Sequence, residues 1–170
     1  AEAALRGFSN ETPKTCYETG IKTSFAQWGV GDATNYLASD KKPSDYKEMV
    51  PASGGKDMKA LITISPKWND TAGKEGQLEQ IITQKWLACW PESYEAWSEQ
   101  RRTGYPKLFP VAVNNSSGTV DTDIQIRRLP FAKSEYTLNP QNIQEAIQLL
   151  GGQDNGGTRL WWDIENKSIN

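Results

Sequence analysis

The stretch QKWLACWPESYEAWSEQRRTGYP, residues 84–106, decides how this chain is read. It packs three tryptophans, two adjacent arginines and a Gly-Tyr-Pro stop into 23 residues. Leu78, Ile81, Ile82, Trp86 and Cys89 recur at helical spacing just before and within it. Pro91 has no N–H to give and cannot continue that helix, so the chain breaks there and restarts. The second helix carries Glu92 and Glu95 in its first turn and Arg101 and Arg102 in its last, which matches the helix dipole at both ends. Gly104 is placed for the left-handed C-terminal position and Pro106 forbids continuation. The pattern predicts a helical corner over 76–90 and 92–103 that buries Tyr94 and Trp97. It also predicts that one of Arg101 and Arg102 is buried against a carboxylate or helix-end carbonyls while the other faces water, because adjacent residues on a helix point about 100° apart.

Outward from this corner, Thr12 and Pro13 form an N-cap and first helical position, and Tyr17, Ile21, Phe25 and Trp28 follow at helical spacing up to Gly29. Residues 31–75 are loop-rich, broken by Pro43, Pro51, Gly54, Gly55, Pro66 and Gly73, with a short helix around 32–39. Over 108–131, Val111 and Val113, a turn at 114–118, then Ile124 and Ile126 predict a small β-hairpin. Asn139 and Pro140 open a last helix, with Ile143, Ala146, Ile147 and Leu150 inward and Gly151 at its end. The fold class is therefore mainly α, a helix pair over 1–30 followed by a loop-rich region over 31–170.

Composition narrows the function classes. The chain has 170 residues, a net charge of −2 and no histidine. Nucleic-acid binding calls for a basic stripe, which is missing, so no nucleic-acid partner is expected. The absence of histidine and the wide separation of Cys16 and Cys89 argue against a zinc site. Both cysteines fall on apolar helical stripes, the usual setting of a small buried thiol. The Asp154-Asn155-Gly156 turn lacks the alternating oxygen ligands of a calcium loop, and no Gly-Lys-Ser/Thr phosphate loop occurs, so no metal or cofactor is expected. Paired carboxylates for glycoside hydrolysis would have to come from Glu92, Glu95, Glu99, Asp121 and Asp123, which read as a solvated helix face and a turn. No catalytic residue is assigned. Among seven tryptophans, Trp28, Trp86, Trp97, Trp161 and Trp162 sit in periodic or motif positions and are expected in the core. Trp90 lies at the helix junction. Trp68, in the loop region, is flanked by Lys67, Asn69 and Asp70. A ring face beside amide groups suits a sugar, so Tyr46, Trp68 and Asn69 are the candidate ligand contacts.

Several pieces of the chain, in order, resemble one family. Ile81–Trp86, Glu95-Ala96-Trp97 and Arg101–Pro106 are followed by Arg127-Arg128-Leu129-Pro130-Phe131, by Ser134-Glu135-Tyr136 with Asn139, and by Leu160-Trp161-Trp162-Asp163. The set is similar to the C-terminal portion of the SusD/RagB nutrient-binding lipoproteins of Bacteroidetes; Phe131-Ala132 departs from the usual Tyr-Pro. The resemblance assigns Trp86, Trp97, Arg101, Arg102, Tyr105, Arg127, Arg128, Tyr136, Asn139, Trp161, Trp162 and Asp163 to structural roles. It implies a tetratricopeptide-type helix pair at 1–30 and capture of an oligosaccharide or other nutrient at the outer face of the outer membrane. Delivery would be to a SusC-type TonB-dependent transporter, with no chemistry on the ligand. A hydrolase or its accessory domain, and a tetratricopeptide scaffold for protein partners, are the alternative readings.

Ala1–Arg6 has strong helix propensity but no preceding cap residue. Family members are several times longer and carry a signal peptide and a lipidated cysteine. Both points lead to the expectation of a C-terminal fragment. Leu5, Phe8, Cys16, Tyr17, Ile21, Phe25 and Trp28 present more apolar surface than one helix pair can cover, so the N-terminal part of the same protein, a second chain or a dimer mate is expected to cover it.

Overall fold

The structure, a computed structural model, describes residues 1–50, 54–165 and 169. Among them it contains seven helices and no sheet: α1 (Glu2–Leu5), α2 (Pro13–Trp28), α3 (Thr34–Leu37), α4 (Gly73–Ala88), α5 (Ser93–Thr103), α6 (Lys133–Leu138) and α7 (Pro140–Leu150). The mainly-α expectation holds. The chain divides into two compact units. The first comprises Ala1–Asp45 and Lys59–Leu108, with Ile169; the second comprises Tyr46–Met58 and Phe109–Asn166, within the described residues.

In the first unit α4 is the central element. It packs against α1, α2 and α5, and six consecutive residues, Leu78 to Thr83, are buried. A helix buried around most of its circumference must bury polar groups, and Gln80 shows how they are satisfied. Its Nε2 donates to the carbonyls of Ser65 (3.0 Å) and Lys67 (2.7 Å), and its Oε1 accepts from the Asn69 N–H (3.1 Å). Leu5, Tyr17, Ile21, Ala33, Trp68, Leu78, Ile81, Ile82 and Ile169 form the apolar core. Helix boundaries follow the sequence signals. Thr12 Oγ1 accepts from the Thr15 N–H at 3.1 Å with Pro13 next in line, and Gly29, Gly104 and Gly151 close α2, α5 and α7 in the left-handed conformation. α1 has no side-chain cap.

In the arginine pair Arg101 is the more buried member and Arg102 the more exposed. Arg102 makes ion pairs to both Glu2 oxygens at 2.8 and 2.6 Å and to Glu99. Its hydrogen bond holds the Glu2 carboxyl below the usual carboxylate range. Arg101 is half-buried and lies over the Trp97 ring, its guanidinium carbon 3.6 Å from the ring centre. A delocalised, planar cation packs favourably on an aromatic face. Tyr94, expected inside, is 80% exposed.

The predicted β-hairpin over 108–131 is replaced by irregular chain. It carries the Val111 N–H to Thr122 carbonyl bond (2.8 Å) and an isolated Asp121–Gln125 bridge. The physical reason lies in the side chains. Asn114 Nδ2 donates to the Val120 carbonyl, Ser116 Oγ accepts from the Val120 N–H, and Asp121 Oδ1 accepts from the N–H groups of Asp123 and Ile124. Short polar side chains thus capture backbone groups that a ladder would have needed. α6 was not anticipated by periodicity, being a single short turn-and-a-half. Ala132, just before it, has φ −61°, the value proline imposes. Ala132→Pro is therefore expected to raise stability by about 0.4–1 kcal/mol, read as a small increase in melting temperature.

Candidate functional site

The three candidate contacts fall into different environments. Trp68 is 8% exposed. Its ring lies 5.1 Å from that of Tyr17, its indole N–H donates to Asp70 Oδ1 at 2.9 Å, and the Tyr17 hydroxyl donates to the Pro66 carbonyl at 2.7 Å. With Gln80 clamping residues 65–69 from the other side, the ring is a core element and not an open stacking face. Asn69 is exposed, but its Oδ1 accepts from the N–H and hydroxyl of Thr71, which ties it to the turn ahead of α4. Tyr46 belongs to the second unit. It pairs with Met58 through two backbone hydrogen bonds, its ring is 6.2 Å from Phe109, and its hydroxyl donates to Glu48 Oε2 at 3.2 Å. The flanking Lys47–Asp57 pair (2.6 Å) and the Glu48 N–H to Asp57 bond (3.0 Å) hold that loop, and the Tyr46 ring keeps an accessible face. Trp68 and Asn69 are therefore neighbours in one unit, and Tyr46 stands in the other.

The first unit also carries an open, largely apolar cavity of about 560 Å³. Cys16, Tyr17, Gly20, Phe25 and Trp28 of α2, Ile81 and Leu87 of α4, and Ala1 and Ala3 line it. Of the apolar residues expected to lie uncovered over 1–29, Phe8 and Trp28 are exposed and Cys16 and Phe25 half-buried, while Leu5, Tyr17 and Ile21 are buried in this unit's own core. Cys16 and Cys89 are free and half-buried, and burial pushes the Cys89 thiol up, so it is a poor nucleophile.

Two carboxylates behave oppositely. Glu79 on α4 is 6% exposed, and burial pushes its carboxyl up, Lys107 at 3.8 Å offsetting only part of this and Glu75 adding to it. Among the described residues, its Oε1 and the Thr83 hydroxyl one turn on have no hydrogen-bond partner. A carboxyl raised above its ordinary 4.5 on folding stabilises fully below that value, and the contribution is lost as pH rises through the folded value. Glu79→Gln is expected to raise the melting temperature at pH 7 by a few degrees, with the difference vanishing below about pH 4; melts across that pH range check it. In the second unit, burial alone would push Asp154 up. Hydrogen bonds from Tyr136, Arg128 and the Phe131 N–H outweigh it and hold the carboxyl below the usual range.

The core of the second unit is ionic. Asp163, fully buried, accepts from Arg127 Nε and Nη2 (2.7 Å each) and from Arg159 Nη1 (3.0 Å). Gly156 threads between, its N–H on the Thr119 carbonyl and its carbonyl accepting from the Arg127 N–H, both 2.6 Å; a β-carbon there would lie 2.6 Å from the Thr119 oxygen. Arg128, also buried, pairs with Asp154 and lies over the Phe131 ring at 4.6 Å.

This ordered set of arginines, aspartates and helices has counterparts. The family described as SusD-like, SusD and RagB outer membrane lipoprotein, matches residues 1–163. The chain belongs to the SusD-like family. A SusD homologue from Bacteroides vulgatus is 60% identical over 95% of this chain and 33% of its own, with a TM-score of 0.81. A chitin-binding SusD homologue from Flavobacterium johnsoniae is 43% identical over 97% of this chain and 34% of its own, with a TM-score of 0.83. A homologue from Bacteroides thetaiotaomicron is 40% identical over 97% and 36%, with a TM-score of 0.83. No curated protein matches. The chain thus spans about a third of the length of these SusD-like structures.

Within the SusD-like frame the motif residues have distinct tasks. Arg102, Arg127, Arg128, Tyr136 and Asp163 make the ion pairs and hydrogen bonds above. Tyr105 donates to Glu75 at 2.8 Å, and Asn139 precedes Pro140 at the start of α7 without a side-chain cap bond. Trp86 and Trp97 are half-buried, but Trp28, Trp161 and Trp162 are exposed, Trp161 to 91%. The expected division of tryptophans is therefore corrected. A motif position marks a constraint on the chain and does not say that the ring is covered, whereas Trp68 is buried against Tyr17, 51 residues away. Three of the five hydrolase candidates are engaged elsewhere: Glu95 and Glu99 share Lys85 at 2.7 and 3.0 Å, and Asp121 closes its own turn. Among the described residues no helix is long and apolar enough to cross a membrane, and no cluster of three metal-ligating residues is found.

Proposed function

We propose that this chain forms part of a protein that captures glycans at the bacterial cell surface and passes them to a SusC-type TonB-dependent transporter, without chemistry on the ligand. The observation that carries this reading is the alignment of nearly the whole chain with a SusD homologue described as chitin-binding. The family's description as outer membrane lipoproteins supports the location. The chemistry agrees with capture: Glu95, Glu99 and Asp121 are tied into ion pairs and a turn, and burial disfavours the Cys89 thiolate. Tyr46 is the candidate contact that keeps an accessible ring, and Trp68 and Asn69 are assigned to the framework that shapes the 65–71 segment. Isothermal titration with chitohexaose, maltoheptaose, xylohexaose and cellohexaose tests the reading. Saturable binding of at least one is expected; no heat with any of them, for protein that melts cooperatively, would contradict it.

A further inference from the structure

We propose that Trp161 is a stacking platform for a pyranose ring; this rests on the glycan-capture reading above. Trp161 and Trp162 occupy the two central positions of a turn closed by the Asp163 N–H on the Leu160 carbonyl at 2.9 Å. Turn centres favour Gly, Pro, Asn, Asp and Ser, which either preset the backbone or satisfy it, and two indoles do neither. Local rules broken without structural return point to function. Within this chain Trp161 gains no such return, since at 91% exposure it buries almost nothing here.

The turn is also held from both ends. On one side Asp163 is locked by three guanidinium hydrogen bonds from Arg127 and Arg159. On the other, Asn155 Oδ1 accepts from the N–H groups of Gly157 and Thr158 and from the Thr158 hydroxyl, and Gly156 is pinned to Thr119 and Arg127. An exposed indole on a fixed mount loses little conformational freedom when a ligand lands on it, which is where affinity is won. The face of the ring is a negative quadrupole suited to the C–H groups of a sugar. Arg159, two residues earlier in the chain and partly exposed while bonded to Asp163, has further N–H donors for hydroxyl or acetamido oxygens. A pyranose presents this combination, an apolar face rimmed with acceptors.

The test compares the wild type with Trp161→Ala and Trp161→Phe, titrated with whichever of the four named oligosaccharides the wild type binds, and melted in parallel. Trp161→Ala is expected to weaken binding roughly ten-fold or more with an unchanged melting temperature, and Trp161→Phe to weaken it less. Equal affinity for wild type and Trp161→Ala would overturn the platform and leave the glycan reading standing. A large drop in melting temperature for Trp161→Ala would also overturn it, because the ring would then be a packing element. A wild type that binds none of the four would remove the glycan reading and the platform together.

Discussion

Asp163→Ala is expected to destabilise the protein by about 3–5 kcal/mol, the cost of leaving a buried guanidinium without its carboxylate. The side chains of Arg127 and Asp163 are 4% and 0% exposed, so water cannot take over the lost hydrogen bonds. Arg159 loses its carboxylate partner in the same change. The damage reaches backbone as well, because Arg127 is also the residue whose N–H holds the Gly156 carbonyl. Urea titration of the wild type, Asp163→Ala and Asp163→Asn checks it. Asn keeps the shape and one acceptor and should fall between the other two. A midpoint for Asp163→Ala indistinguishable from wild type would show that the buried ion pair contributes nothing to this unit.

Trp68→Ala is expected to cost about 3–5 kcal/mol, in the range for removing a large aromatic ring from a packed core. The ring contacts Tyr17 and sits under a loop that Gln80 holds by three hydrogen bonds, so the cavity left behind has stiff walls and cannot collapse cheaply. Thermal melts paired with titration separate the two roles this residue has been given. A large fall in melting temperature with ligand affinity retained at a temperature where the variant is folded is the expected pair of results. An unchanged melt with lost affinity would return Trp68 to the ligand site.

What the sequence made legible was whatever is encoded locally. Thr12-Pro13, Gly29, Gly104, Pro140 and Gly151 each act within four residues of their own position, and every one marks a helix end in the structure. The stripe Leu78, Ile81 and Ile82 needs only the helical period to be seen. The misreadings concern partners distant in sequence. Nothing near Trp68 announces that Tyr17, 51 residues earlier, and Gln80 will close around it. Nothing near Arg102 announces Glu2, 100 residues away, and a helix wheel alone cannot say that Arg101 will settle on Trp97. The predicted hairpin failed for a local reason that was visible but underweighted: Asn114, Ser116 and Asp121 are residues whose side chains compete for backbone groups. In the candidate site the same division holds. Trp68 presents in sequence a ring flanked by polar residues, which suits a sugar, while the Leu-Trp-Trp run ahead of Asp163 reads as apolar core and its turn geometry depends on Arg127, 36 residues before Asp163.

The central claim is capture without chemistry, and it is tested most directly by recovering the ligand. The protein is incubated for a day with an oligosaccharide that it binds by calorimetry, and the sugar is then analysed by mass spectrometry. The account predicts a bound ligand recovered at its original length and mass. Shortened products that disappear when a single Asp or Glu is replaced would contradict it.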